Sequence, residues 1–287
     1  MSHYAGPWLT AALHAAMRAR LDSGAAVFEG SFDLGRTHEQ VSLDAEGWTW
    51  RDQRQPWPER IKERTVYVRD GDTFAPLQRF AGKLIKLVPT EWGAPTFEID
   101  GIKMLVSAQL SPIDDARRKV ALIEPRGKAV LDCCAGLGYF AACCLDAGVA
   151  RLDSFEKNED VLWLRRHNPW SPDPDSDECG GRLRLEHADI SRRILALPDA
   201  GYDAVLHDPP RFGIAGELYA QSFYDQLFRV LRPGGRLFHY TGAPNAKTSG
   251  RDVPGEVMKR LVQSGFRAER ALDGLLANRP DARAGRR

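Results

Sequence analysis

Asp132, Gly136 and Gly138 lie in the run Val130-Leu-Asp-Cys-Cys-Ala-Gly-Leu-Gly-Tyr-Phe140, an apolar stretch that ends in a carboxylate, turns through small residues and continues as a helix. Ala135, Gly136 and Gly138 allow close backbone approach to a ligand, and the helix offers its first N–H groups to it. Glu156, 24 residues beyond Asp132, ends a second strand-like run, Leu152-Asp-Ser-Phe155. A carboxylate at that place accepts the hydroxyls of a ribose. A third run, 183–190, carries Asp189, placed to accept from an adenine amino group. A fourth, starting at Tyr202, delivers His207, Asp208, Pro209, Pro210 and Arg211, and a fifth follows Arg232-Pro-Gly-Gly and ends at His239-Tyr240. Open α/β sheets bind ligands at the carboxyl ends of their strands, and all these residues fall there. A phosphate-binding dehydrogenase loop would want a third glycine where Phe140 and Ala141 stand.

Those strands and helices imply an α/β fold, a Rossmann-like doubly wound sheet over residues 108–277. Residues 1–107 read as a smaller β-rich domain behind an N-terminal helix at 8–21. Short apolar runs at 27–28, 41–43, 48–50, 65–68, 84–88, 96–99 and 102–106 are separated by turn residues, with Asp100-Gly101 the clearest hairpin signal. Ser111, Pro112 and two following acids mark the start of a helix at 111–123 leading into the sheet. The tail 278–287 reads as frayed. His167-Asn-Pro-Trp170 reads as a rigid turn that either stops a helix with a packed Trp or lays Trp170 over a ligand.

A chain of 287 residues with 43% hydrophobic and 28% charged residues is an ordinary globular protein, without the 18-residue apolar run of a membrane span or a secretory leader. We expect it in the cytoplasm, with no membrane partner. The net charge of +1 gives no global pull on nucleic acid, although the basic groups Arg117-Arg-Lys119, Arg165-Arg166 and Arg192-Arg193 read either as phosphate contacts or as solvated helix faces. Cys133-Cys134 and Cys143-Cys144 lack the spacing of a zinc site and read as small reduced packing residues, so no metal is expected.

The ordered set of strand-end residues resembles the class I S-adenosylmethionine (SAM)-dependent methyltransferases over about half the chain. The resemblance implies SAM as cofactor, held by Asp132, Ala135, Gly136, Gly138, Glu156 and Asp189. Asp208-Pro209-Pro210 is similar to the Asp/Asn-Pro-Pro-aromatic tetrapeptide of amino-methyltransferases, in which the polar side chain and a proline carbonyl accept hydrogen bonds from the target nitrogen. Here Arg211 takes the aromatic position and Phe212 follows one residue late, so a stacking role gives way to an anion-pairing one for Arg211. The implied catalytic group is Asp208, Pro209 and Pro210, with His207 and Arg211 beside them. The implied partner is a methyl acceptor, small molecule or RNA, and a homodimer is compatible with the sequence. His207 and His239, at the ends of adjacent strands, read either as lining one pocket or as structural. A cysteine-dependent pyrimidine methyltransferase is disfavoured, since no cysteine follows Cys179.

Leu218-Tyr219, Phe223-Tyr224 and Leu227 before Pro233-Gly-Gly235 bring a second resemblance, to spermidine and spermine synthases, which implies aminopropyl transfer from decarboxylated SAM. Those enzymes have a glycine run followed by an acid, whereas this loop reads Cys-Cys-Ala-Gly-Leu-Gly. The C-terminal half as a whole most resembles an uncharacterised methyltransferase family common in archaea.

Overall fold

The computed structural model describes residues 4–242 and 252–281. They form two compact units, residues 1–115 with 163–171, and residues 116–162 with those from 172 onward. The division falls inside a helix rather than at 107/108, and the Asn168-Pro-Trp170 turn belongs to the N-terminal unit.

In the N-terminal unit the elements run β1 (Trp8–Leu9), α1 (Ala11–Asp22), β2 (Val27–Gly30), β3 (Glu39–Asp44), β4 (Gly47–Trp50), β5 (Gln53–Pro56), β6 (Tyr67–Asp70), β7 (Thr73–Pro76), β8 (Gln78–Phe80), β9 (Leu84–Thr90), β10 (Gly93–Ile99) and β11 (Ile102–Lys103). Three antiparallel sheets result, ordered β1-β6-β7, β2-β3-β4-β5 and β11-β10-β9-β8. The helix begins later than its periodicity suggests. Thr10 is in the extended region and accepts from Leu13 N, capping α1 and leaving Trp8 and Leu9 to pair with β6. The Asp100-Gly101 turn joins β10 to β11 with both residues at positive φ, 49° and 77°, as a tight hairpin turn requires. Val41 and Leu43 alternate inward from β3 onto a core in which Trp48 stacks between Phe32 (5.0 Å) and Phe74 (6.0 Å). Each fully buried large apolar side chain there contributes roughly 1.5–3 kcal/mol.

The chain enters the C-terminal unit along α2 (Pro112–Ile123), whose Ser111 Oγ accepts from Ile113 N and whose first turn carries Asp114 and Asp115. There follow β12 (Ala129–Asp132), α3 (Tyr139–Asp146), β13 (Arg151–Glu156), α4 (Glu159–Arg166), β14 (Leu183–His187), α5 (Ile190–Arg193), β15 (Tyr202–His207), α6 (Gln221–Val230), β16 (Leu231–Tyr240), α7 (Val253–Gln263), β17 (Arg267–Ala271) and β18 (Gly274–Asn278). They build one seven-stranded sheet, β14-β13-β12-β15-β16-β18-β17. The first five strands are parallel, and the last two form an antiparallel hairpin on β16. Strand order reverses between β12 and β15, where such sheets bind ligands.

The expected frayed tail starts too early. Asn278 pairs with Arg236 and Arg267, and the Arg279 guanidinium donates to Phe228 O and Leu231 O and lies over the Phe228 ring. Residues 282–287 lie outside the described residues. Among the described residues no helix is long and apolar enough to cross a membrane.

Candidate functional site

Asp132 ends β12 with no exposed surface, and its Oδ2 accepts from Ser154 Oγ on the neighbouring strand at 2.7 Å. The loop that follows is wired to both flanking strands. Cys133 N donates to Leu206 O (3.0 Å) and Ala135 N to Phe155 O (2.9 Å). Gly136 N donates to the Glu156 Oε2 carboxylate oxygen at 2.9 Å, while Oε1 accepts from Asn158 N at 2.8 Å. Gly136 and Gly138 sit at φ 50° and 83°, so the turn needs glycine for its backbone. A Cβ on Gly136 would meet nothing within 4 Å, which leaves open space in front of the loop. Gly138 is the N-cap of α3.

Asp189 N-caps α5, its Oδ1 accepting from Ser191 N (3.0 Å) and Ser191 Oγ (2.6 Å), while Oδ2 pairs with Lys157 Nζ at 2.8 Å. Burial opposes its charge, but the bonds from Lys157 and Ser191 outweigh that and hold its carboxyl below the usual range. Lys157 also reaches Glu217 at 3.4 Å, linking the ends of β13 and β14 to the segment after β15. Its position directly after Glu156 was the only sequence signal for this clamp.

Asp208 stands just past β15, half-buried, and Pro209 is buried behind it. Asp132, Glu156 and Asp208 thus stand at the ends of the adjacent parallel strands β12, β13 and β15. The Cys134 thiol is pushed well up, first by burial and then by the charges of Cys133, Glu156, Asp132 and Asp208. Tyr219 is also pushed up by burial and by Asp208 and Cys134 among its neighbours. A site with this much negative charge favours a cationic ligand.

His207 lies elsewhere than a substrate-facing role requires. Successive strand residues point to opposite faces, and His207 has no exposed surface. It is in register with His239, their rings 4.5 Å apart and edge-on. His207 Nε2 meets Leu218 O at 3.2 Å and His239 Nδ1 meets Tyr240 O at 2.8 Å. Carbonyls only accept, so these nitrogens carry the protons, and His239 Nε2 accepts from Tyr224 OH at 3.1 Å. Burial, with His239 second, holds His207 well below its ordinary pKa, and burial brings His239 down to about 4. The pair is a neutral structural element rather than the lining of an open pocket.

The Asp-Pro-Pro-Arg segment is braced from behind. Tyr219 OH donates to Pro210 O at 3.0 Å, and Arg211 O accepts from Ile214 N at 2.7 Å. The Arg211 side chain is exposed and makes no ion pair among the described residues. Phe212 packs edge-on against Tyr219 at 5.5 Å.

The cysteines are all free thiols. Cys179 is buried. Two of the basic groups each contain a buried residue, while Arg117 and Arg118 are exposed. Arg165 and Lys119 are 1% and 2% exposed, and Lys119 pairs with Asp273 at 3.2 Å. Trp170 donates from Nε1 to Leu34 O at 2.9 Å, so its indole is anchored within the N-terminal unit.

A parallel sheet reversing at a glycine loop, with carboxylates at successive strand ends, defines a Rossmann-like fold, which the chain shares with spermidine synthases. A spermidine synthase solved with the transition-state analogue AdoDATO has a TM-score of 0.57 at 15% identity, over 70% of this chain and 72% of that one. The chain belongs to the family of the uncharacterised protein MJ1233 of Methanocaldococcus jannaschii, to which it is 40% identical over 219 residues, 75% of this chain and 73% of the relative. It is also similar to polyamine aminopropyltransferase 2 of Streptomyces coelicolor, 37% identical over 103 residues, but these span 35% of this chain and 19% of that protein. No family model matches the chain.

Proposed function

We propose that the C-terminal unit binds SAM and that the protein transfers its methyl group to a nitrogen acceptor on a small molecule or RNA. The observation that carries this reading is the placement of Asp132, Glu156 and Asp208 at the ends of adjacent parallel strands at the β12/β15 reversal, with Glu156 bonded to the glycine loop. The residues fit the cofactor: the space before Gly136 is open, and the three carboxylates suit a cationic ligand. When bound, SAM supplies a methyl group on a sulfonium leaving group. Glu156 would then hold the ribose, and Asp189 the adenine end together with Lys157. Asp208 and the Pro209 carbonyl would accept N–H bonds from the acceptor and orient its lone pair. Tyr219 keeps that segment in place through Pro210 O, and His207 supports it from the core.

The local similarity to an aminopropyltransferase favours a second reading, aminopropyl transfer from decarboxylated SAM. One feature weighs against it: the loop reads Cys-Cys-Ala-Gly-Leu-Gly, not the glycine run followed by an acid of those synthases. Comparing the affinities of SAM and decarboxylated SAM separates the readings, with SAM expected to bind more tightly.

The direct test is incubation of the protein with methyl-labelled SAM and a cell extract split into nuclease-treated, protease-treated and small-molecule fractions. Label is expected in an acceptor that survives protease. Asp208→Ala is expected to keep SAM affinity and lose about 100-fold or more in transfer rate. Full turnover in that variant removes Asp208 from the site.

A further inference from the structure

The N-terminal unit carries a cavity of about 300 Å³ that the transferase reading does not use. Its floor is one face of the β6–β7 hairpin. Tyr67 pairs with Pro76 and Arg69 with Phe74, and alternation along both strands puts Tyr67, Phe74 and Pro76 on the same side. Thr65 and Gln78 extend that face, Pro58 adds a wall, and Thr73 adds a hydroxyl. Tyr67 and Phe74, which belong to the core around Trp48, close the bottom of the cavity.

The rim is made by the segment between β5 and β6, where Arg60 and Lys62 stand exposed. Tyr67 OH accepts from Lys62 N at 3.0 Å, tying rim to floor. Nearby cations have carboxylate partners: Arg51 with Glu39, Arg54 with Asp44, and both Arg64 and Lys86 with Glu98. Arg60 and Lys62 have none among the described residues; Glu59 lines the cavity with them, and Glu63 lies in the same segment. The cavity thus joins an aromatic and proline floor, hydroxyl and amide groups, and two cations without partners. It is at the small end of ligand-pocket volumes, which run from roughly 300 Å³.

We propose that this cavity binds a nucleoside phosphate, the base against Tyr67, Phe74 and the prolines, the phosphate on Arg60 and Lys62. The same chemistry is offered by a free nucleotide and by one residue of an RNA strand. The proposal does not depend on methyl transfer by the other unit.

The test uses the full chain with S-adenosylhomocysteine in excess, so that a nucleotide site in the C-terminal unit is occupied. Uridine monophosphate, uridine, inorganic phosphate and hexauridylate are titrated by calorimetry at low salt. Uridine monophosphate is expected to bind at least tenfold more tightly than uridine or phosphate. The double variant R60Q/K62Q, altered only at exposed side chains, is expected to lose at least tenfold of that affinity while binding S-adenosylhomocysteine as before. Hexauridylate binding at least tenfold more tightly than the mononucleotide identifies RNA as the source. Its log–log salt slope should then flatten by about 1.4 in the variant, from roughly 0.7 per phosphate contact. Equal affinities for the two identify a free nucleotide. The proposal is overturned by no binding of uridine monophosphate at millimolar concentration, by phosphate binding as tightly, or by a variant that binds like the wild type.

Discussion

Replacing Glu156 by Gln tests the link between the glycine loop and the cofactor. In the wild type, Oε2 accepts from Gly136 N and Oε1 from Asn158 N. An amide keeps one acceptor and turns an NH2 group towards the other N–H, so one bond is lost. A hydrogen bond to a charged group contributes about 1.5–3 kcal/mol, and for this half-buried side chain the lower end applies. The variant should therefore be about 1.5 kcal/mol less stable without ligand. With SAM held as proposed, the amide would give up one ribose contact and the carboxylate's negative charge. A loss of about 1.5–2.5 kcal/mol weakens SAM roughly 10- to 70-fold. Urea unfolding with and without SAM reads both effects. At 100 times the wild-type Kd, SAM should add about 2.7 kcal/mol to the wild type. A variant with 50-fold weaker binding should gain only about 0.6 kcal/mol at that concentration. A variant that loses stability but keeps SAM affinity within twofold would show that Glu156 braces the loop and does not hold the cofactor.

Tyr219→Phe removes the donor to Pro210 O and should cost about 1 kcal/mol. Transfer should slow while SAM affinity stays within twofold, and a parallel loss of both would place Tyr219 at the cofactor instead. Gly136→Ala meets no atoms but needs φ 50°, so urea unfolding should show a loss of about 1–2 kcal/mol. Calorimetry should show weaker SAM binding too, because the methyl enters the space before the loop. Acid should destabilise the C-terminal unit through its histidines. His207 and His239 are held neutral when folded but protonate below about 6.5 when unfolded. Their stability is complete above that pH and lost as it falls, at up to about 1.4 kcal/mol per pH unit for each. For His239 the loss is complete near its folded value of about 4, and amounts to about 3 kcal/mol. A urea midpoint that does not change between pH 6.5 and 5 would contradict this.

Much of the C-terminal unit was legible because its parallel strands carry short apolar segments and end in polar residues. Asp132, Glu156 and Asp208 each stand at the predicted strand end. The antiparallel hairpin β17–β18 was not legible. Its turn is Leu272-Asp273, with Leu272 at φ 51°, and it lacks the Asn-Gly or Asp-Gly signal at the central positions. In the N-terminal unit, β5, β7 and β8 read Gln-Arg-Gln-Pro, Thr-Phe-Ala-Pro and Gln-Arg-Phe. Such polar, proline-bearing edges form because a partner strand is present, and periodicity does not announce them. Lys157 was missed because its role depends on bringing Asp189 and Glu217 together from distant parts of the chain.

His207 and Asp208 show how strand geometry divides neighbouring residues of similar chemical promise. Both are titratable and stand at the same strand end, so sequence spacing treats them alike. The last strand residue turns His207 into the sheet's core, where burial keeps it neutral and its Nε2 proton is spent on Leu218 O. One residue on, the chain has left the sheet, and Asp208 joins the carboxylates around Cys134. A general base at His207 would need its proton exchanged with an acceptor that cannot reach it. Asp208, half-buried and held by the braced Pro209-Pro210 segment, combines access with a fixed position. Moving His207 outward would cost its hydrogen bond to Leu218 O and its ring contact with His239. The carboxylate is therefore the group that this strand end can present to an acceptor.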